Sequence, residues 1–247
     1  MAARALFTVG GTEPFALSRS KLQLFLDCPR CFYLDRRSGA SRPDLPPYTL
    51  NNAVDTLLKR EFDAYRARGE PHPLMRLHGV DAVPFQHPDL ETWREPLRGG
   101  LRYHHAPSGF LVTGAPDDLW VAPSGQLIVV DYKATSSERQ PSVADASREG
   151  YRRQLECYQW LLRRMGFVVE RTAYALFANA DRTRASFDQQ LRFGLSLSAY
   201  EGEDSWVEDA LMDARACLEH DLPPPYATSC GWCAYRRGCS RAEERLP

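Results

Sequence analysis

No stretch of this chain approaches the roughly 18 consecutive apolar residues that a membrane-spanning helix requires, so no membrane partner is expected. Nor is there a surplus of charge: 31 Lys and Arg stand against 32 Asp and Glu, a formal net charge of −1. That excludes a wholesale polycation, but not a nucleic-acid enzyme, which needs only a local basic groove. No G-x-x-x-x-G-K-[ST] phosphate loop occurs, so any ATP-driven partner must be another chain. Internal repeats and low-complexity tracts are missing. So is any helix-turn-helix or zinc-finger recognition helix, and sequence-specific duplex binding is therefore not indicated. Residues 1–9 carry one Arg and no apolar central region, a poor signal peptide, and a cytoplasmic location is expected.

What is present describes a globular protein. Over 247 residues the hydrophobic fraction is 43% and the charged fraction 26%, enough for one large domain. Seven cysteines without an export signal point to metal or iron–sulfur ligation rather than disulfides.

Periodicity outlines an α/β protein, a central hairpin-led mixed sheet flanked by helices. Ser20 with Gln23 forms a capping box opening a helix over 20–33, with Leu22, Phe25 and Leu26 as its apolar stripe. Residues 38–49 hold Pro43, Pro46 and Pro47 and read as a loop. A helix over 50–66 carries Val54, Leu57, Leu58, Phe62 and Tyr65, and 71–96 reads as irregular. Strands are expected at 110–113 and 119–121, then, past a Ser124-Gly125 turn, at 127–133, where Ile128-Val129-Val130 is β-branched. A crossover helix over 148–165 ends at Gly166. Strands at 171–179 and 191–197 and a helix over 205–220 precede a cysteine-rich loop.

The chemistry lies in three fragments: Gly114-Ala115-Pro116-Asp117, Asp131-Tyr132-Lys133 and Gln154-Leu155-Glu156-Cys157-Tyr158. Residues two apart on a strand share a face, so Asp131 and Lys133 point together and Tyr132 points away. Antiparallel pairing through Ser124-Gly125 brings Asp117 beside Asp131. Two converging carboxylates suit a hard divalent cation, which polarises a phosphoryl oxygen and helps ionise water. Lys133 would hold the attacking water or offset transition-state charge. Gln154 and Tyr158, four apart, share a helical face. Taken alone, Asp-x-Lys is an ordinary exposed strand end; the ordered combination gives it weight.

Cys28 and Cys31 lie near one end of the sequence, and Cys230-x2-Cys233-x5-Cys239 near the other. The tail shows no helical or strand periodicity, and thiolate ligation is a natural anchor for such a loop. Cys28-x2-Cys31 and Cys230-x2-Cys233 would form two knuckles around one tetrahedral zinc, leaving Cys239 free. Cys157 and Cys217 sit within helical patterns and read as buried thiols. Arg30, Arg152 and Arg153 are candidates for a nucleic-acid groove, with solvated surface as the ordinary alternative. Five of the six histidines (His72, His78, His87, His104 and His105) read as loop residues.

Together these residues resemble the PD-(D/E)XK nuclease superfamily, and within it the RecB-like branch. The run Ser18-x-Ser20-x-Leu22-x-x-Phe25-x-x-Cys28-Pro29-Arg30-x-Phe32-Tyr33-Leu34 is similar to that branch's opening motif, to the AddB nuclease domain and to the iron–sulfur nucleases of CRISPR adaptation. The resemblance implies a restriction-endonuclease-like core and a single nuclease domain over 1–247, with an N-terminal helical part (18–66), a catalytic core (101–200) and a C-terminal helix and cysteine clasp (201–247). It implies that Asp117 and Asp131 bind Mg2+ or Mn2+, that Lys133 is the catalytic lysine, and that Gln154 and Tyr158 contact substrate. Where that branch places a metal-binding His, this chain reads Asn52-Ala53-Val54-Asp55, so Asp55 occupies the position and still offers oxygen ligands. The resemblance also implies a structural 4Fe-4S cluster on Cys28, Cys230, Cys233 and Cys239, favoured over zinc because the three-cysteine tail matches the family spacing. The implied activity is a metal-dependent DNase acting on single strands or DNA ends, in repair, recombination or defence. Its partner would be a helicase or a repair or adaptation complex. The alternative is a weak or inactive nuclease-fold subunit that binds nucleic acid.

Overall fold

Pro29 splits the first helical stretch in two. It lacks an N–H and its ring clashes with the preceding turn, so one helix ends before it and another begins on it. In this computed structural model, which describes residues 5–44, 46–97 and 99–244, strand β1 (Phe15–Ser18) leads into α1 (Arg19–Asp27) and then α2 (Pro29–Arg37). Between the helices Cys28 is extended, at φ −165° and ψ 98°. The single helix expected over 20–33 is therefore two.

Then come α3 (Thr49–Arg66), a short α4 (Pro73–Leu77), β2 (Val83–Pro84) and a single turn, α5 (Leu90–Trp93). The 71–96 stretch thus holds three short elements. Strands β3 (Leu101–His105), β4 (Phe110–Gly114), β5 (Asp118–Val121) and β6 (Leu127–Thr135) follow. His104 and His105 therefore lie on a strand rather than in a loop. A 3-10 turn at Ala146–Arg148 opens α6 (Glu149–Arg164), followed by β7 (Thr172–Ala180), β8 (Phe193–Glu201), α7 (Trp206–Glu219) and α8 (Gly231–Glu243). The tail expected as a loop is mostly helix. The signal-peptide reading of residues 1–9 lies partly outside the described residues, at 1–4.

The strands form a five-stranded mixed sheet, ordered β2-β5-β6-β7-β8, and a three-stranded sheet, ordered β1-β4-β3. In the larger sheet β5 and β6 are antiparallel, β6 and β7 parallel, and β7 and β8 antiparallel. The parallel pair requires a crossover, and α6 supplies it. No helix among the described residues is long and apolar enough to cross a membrane.

The chain groups into two compact units. One comprises Met1–Pro46, His104–Val112 and Ser205–Pro247, the other Pro47–Tyr103 and Thr113–Asp204. In the second unit Phe62 of α3 packs into the core beneath β5 and β6, its ring 5.6 Å from that of Trp120. Deeper still lies a charge that the sequence reading did not single out. Asp118, fully buried, pairs with Arg66 and accepts from the Tyr132 hydroxyl at 2.8 Å, the Trp120 indole at 3.3 Å and the Leu119 N–H at 2.9 Å. Strand alternation turns Asp118 inward and leaves its neighbour Asp117 facing the other way.

Removing Asp118 leaves Arg66 with Asp63 as its remaining carboxylate partner and takes the buried acceptor from Tyr132 and Trp120. Asp118→Ala is expected to lower the unfolding free energy by about 3–5 kcal/mol in urea titrations followed by circular dichroism. A loss below about 1 kcal/mol, the worth of a surface pair, would contradict the anchoring role.

Candidate active site and metal centre

The β5–β6 hairpin sets the site. Its turn uses Gly125 at φ +84°, a left-handed conformation that glycine adopts without strain. Its register pairs Asp118 with Val130, and one step further Asp117 comes opposite Asp131. Asp117 Oδ2 accepts the Tyr132 backbone N–H at 2.7 Å, which ties the two strand ends together.

β6 is buried from Leu127 through Tyr132 and emerges at Lys133. Asp131 is thus carried to the edge of the core, its side chain 2% exposed and ion-paired through Oδ2 with the Lys133 ammonium. Tyr132 points to the opposite face, into the core with Phe62. Lys133 Nζ also donates to Gln154 Oε1 at 3.2 Å and sits 4.7 Å from the Tyr151 ring centre. Gln154 Nε2 donates in turn to the Tyr158 hydroxyl at 3.0 Å.

α6 is held in place from behind. Gln159, fully buried, donates to the carbonyls of Glu170 and Arg171 at 2.9 Å each. In front, a Cβ on Gly114 would stand 2.8 Å from a Tyr158 ring carbon and 2.9 Å from Leu161, so glycine alone lets the helix approach this closely. Leu155 through Leu162 are all buried, so the helix is enclosed well beyond one apolar stripe.

Asp55 reaches the same place from α3. A residue that the sequence reading passed over, Lys59, links the acids: its Nζ lies 2.9 Å from Asp55 Oδ2 and 3.6 Å from Asp117 Oδ1. Its position one turn after Asp55 was the available signal. Asp55, Lys59, Arg94, Asp117, Lys133 and Gln154 line a cavity of about 350 Å3.

The electrostatics follow from crowding. Burial, and next the neighbouring Asp131, push the Asp117 carboxyl up to about 8, against the pull of Lys133 and Lys59. Lys133 moves up as well: burial works against its charge, but Asp131 and Asp117 outweigh it. Asp131 Oδ1 is buried and has no hydrogen-bond partner among the described residues. An orphaned carboxylate oxygen opposite Asp117, which lines the same cavity as Asp55, offers oxygen donors of the kind a hard divalent cation takes.

The arginines expected at a nucleic-acid groove already have partners. Arg30 donates to the Pro224 carbonyl at 2.8 Å and lies 4.0 Å from the Tyr226 ring centre. Arg152 donates to the carbonyls of Val143 and Asp145 at 2.9 and 3.0 Å, and Arg153 pairs with Glu149.

The second cluster lies in the other unit. Cys28, Cys31, Cys230 and Cys233 place their sulfurs within 4.8 Å of one another. Cys31, rather than Cys239, joins the other three. Cys28 caps α2, its sulfur accepting the Cys31 N–H at 3.5 Å. Burial opposes ionisation of Cys230, but the Cys233 N–H and the neighbouring thiols pull it down to about 7, whereas burial pushes Cys31 up to about 12. Cys157 and Cys217 are buried thiols in helices, and burial raises Cys217 to about 11.

A model of the PD-(D/E)XK nuclease superfamily matches residues 50–240. The chain belongs to that superfamily. No curated protein matches the chain.

A carboxyl raised from 3.8 to about 8 holds a proton in the folded chain over a range where the unfolded chain has lost it. The metal-free protein should therefore lose stability as pH climbs from 3.8 through about 8, and lose no more from this source above that. Thermal melts of the parent and Asp117→Asn in EDTA across this range isolate the effect, since the variant should lack it. Parallel profiles for the two proteins would contradict the assignment.

Proposed function

We propose that this chain is a divalent-metal-dependent deoxyribonuclease of the RecB-like branch, hydrolysing phosphodiesters on single-stranded DNA or DNA ends. The observation that carries the proposal is the buried, unpartnered Asp131 Oδ1 beside Asp117 and Lys133. Asp55, Asp117 and Asp131 would hold Mg2+ or Mn2+, which when bound supplies Lewis acidity at the phosphoryl oxygen.

The chain's own residues do the rest. Lys133 positions the attacking water and offsets negative charge that builds on the phosphate. The water oxygen forms the new bond to phosphorus as a deoxyribose oxygen leaves with a proton. Gln154 fixes the Lys133 ammonium by hydrogen bonding, and Tyr158 fixes Gln154. Tyr151, exposed beside Lys133, offers a ring for base stacking. Arg152 and Arg153, on the α6 turn before Gln154, would meet the phosphate backbone, and Arg30 would do so elsewhere. The setting would be repair, recombination or defence in the cytoplasm, with a helicase or complex partner on another chain.

One observation favours the second reading, a nuclease-fold subunit that binds DNA without cutting it. Lys59 already supplies a cation between Asp55 and Asp117, which weakens the attraction for a metal.

End-labelled single- and double-stranded DNA with Mn2+ separates the readings. The parent should shorten single strands, and Asp131→Ala or Lys133→Ala should cut at a rate at least about 10²–10³-fold lower while remaining folded by circular dichroism. Retention of DNA without cleavage by the parent would support the binder. Parental cleavage rates in both variants would refute the site.

A further inference from the structure

Independently of the nuclease reading, we propose that Cys28, Cys31, Cys230 and Cys233 bind a single zinc ion tetrahedrally, in place of the four-iron cluster that the three-cysteine tail suggests. Sulfur spacing carries the inference. Cys28 and Cys233 sulfurs stand 3.6 Å apart, Cys31 and Cys230 3.7 Å, and Cys31 and Cys233 4.0 Å. With zinc–sulfur bonds of about 2.3 Å, the edge of a regular sulfur tetrahedron is about 3.8 Å. A cubane binds each thiolate to a different iron at a different corner, so its ligand sulfurs stand much farther apart than those around one ion. Four sulfurs all within 4.8 Å leave no room for it.

The two halves of the site are built alike. Each is a Cys-x2-Cys pair at a helix start, Cys28 before α2 and Cys230 before α8. In the first of them the Cys28 sulfur accepts the Cys31 N–H at 3.5 Å. Four thiolates around one zinc carry a net charge of −2, and loading releases the thiol protons to solvent. Arg42 offsets that charge, donating to Cys230 Sγ at 3.4 Å and bonding Cys31. Cys28, Cys230 and Cys233 are buried, and four protein ligands close the coordination sphere, as in structural rather than catalytic zinc sites.

Cys239 is excluded by its helix. It lies six residues beyond Cys233 on α8, about 9 Å farther along the axis, where it is half-exposed and bonded to Tyr235.

The test is metal analysis of the untagged full chain purified in air, with absorption spectra and acid-labile sulfide measured on the same sample. We expect one zinc per chain, no visible colour and no sulfide. Cys239→Ser should keep its zinc and Cys31→Ser should lose it. Should Cys31→Ser fail to fold, the parent alone decides: a mercurial thiol reagent should release one zinc, and cobalt exchange should give the visible bands of a tetrahedral thiolate site. A brown protein whose iron and sulfide vanish in Cys239→Ser and persist in Cys31→Ser would overturn the proposal. So would a parent chain that carries no metal.

Discussion

Asp117 and Asp131 face each other across one antiparallel register, and their mutual repulsion in a half-dry setting governs what surrounds them. Two carboxyls this close do not both ionise at neutral pH, so one keeps its proton for as long as the strands bearing them are held together. The hairpin is therefore pinned twice: by the Tyr132 N–H on Asp117, and by the Asp118–Arg66 pair on the opposite face. Two lysines then approach from different elements, Lys133 on β6 itself and Lys59 on α3. The result is a preorganised excess of oxygen donors with one of them, Asp131 Oδ1, left unpartnered. An arrangement that costs folding energy in the absence of a ligand is characteristic of a functional site.

The helix across the cavity serves the same end. Gln159 locks it to the chain leaving α6, and Gly114 allows it close, so that Gln154 and Tyr158 extend the lysine's hydrogen bonding in a fixed direction. In the other unit the cysteine cluster ties the start of α2 to the start of α8, joining residues about two hundred positions apart in sequence. A metal bound there would close a very long loop and add its binding free energy to that unit's folding.

Much of the unit that carries Asp117 and Asp131 was legible because strong local signals agreed there. Ile128-Val129-Val130 announced β6, Ser124-Gly125 announced the turn, and alternation then placed Asp131 with Lys133 and against Tyr132. Other features depend on contacts that no local pattern encodes. Asp117 and Asp118 are chemically equal neighbours, and only the register decides which faces the cavity and which the core. Lys59 looked like solvated helix surface until α3 met the hairpin. Strands β1 and β3 are short and carry polar residues, so neither stood out. The choice between Cys31 and Cys239 was open because both spacings are plausible ligand spacings. In the structure Pro29 makes Cys28 a helix cap beside Cys31, and the helical form of the tail carries Cys239 away from Cys233.

The central claim is that these acids capture a divalent ion by giving up a proton, and calorimetric titration with Mn2+ at pH 7 in two buffers of different ionisation heat tests it most directly. The account predicts a binding event coupled to proton release, because Asp117 is held protonated up to about 8. It also predicts that Asp131→Asn abolishes the event and that Asp117→Asn abolishes the proton release. Unchanged Mn2+ binding in Asp131→Asn, or binding with no buffer dependence in the parent, would contradict it.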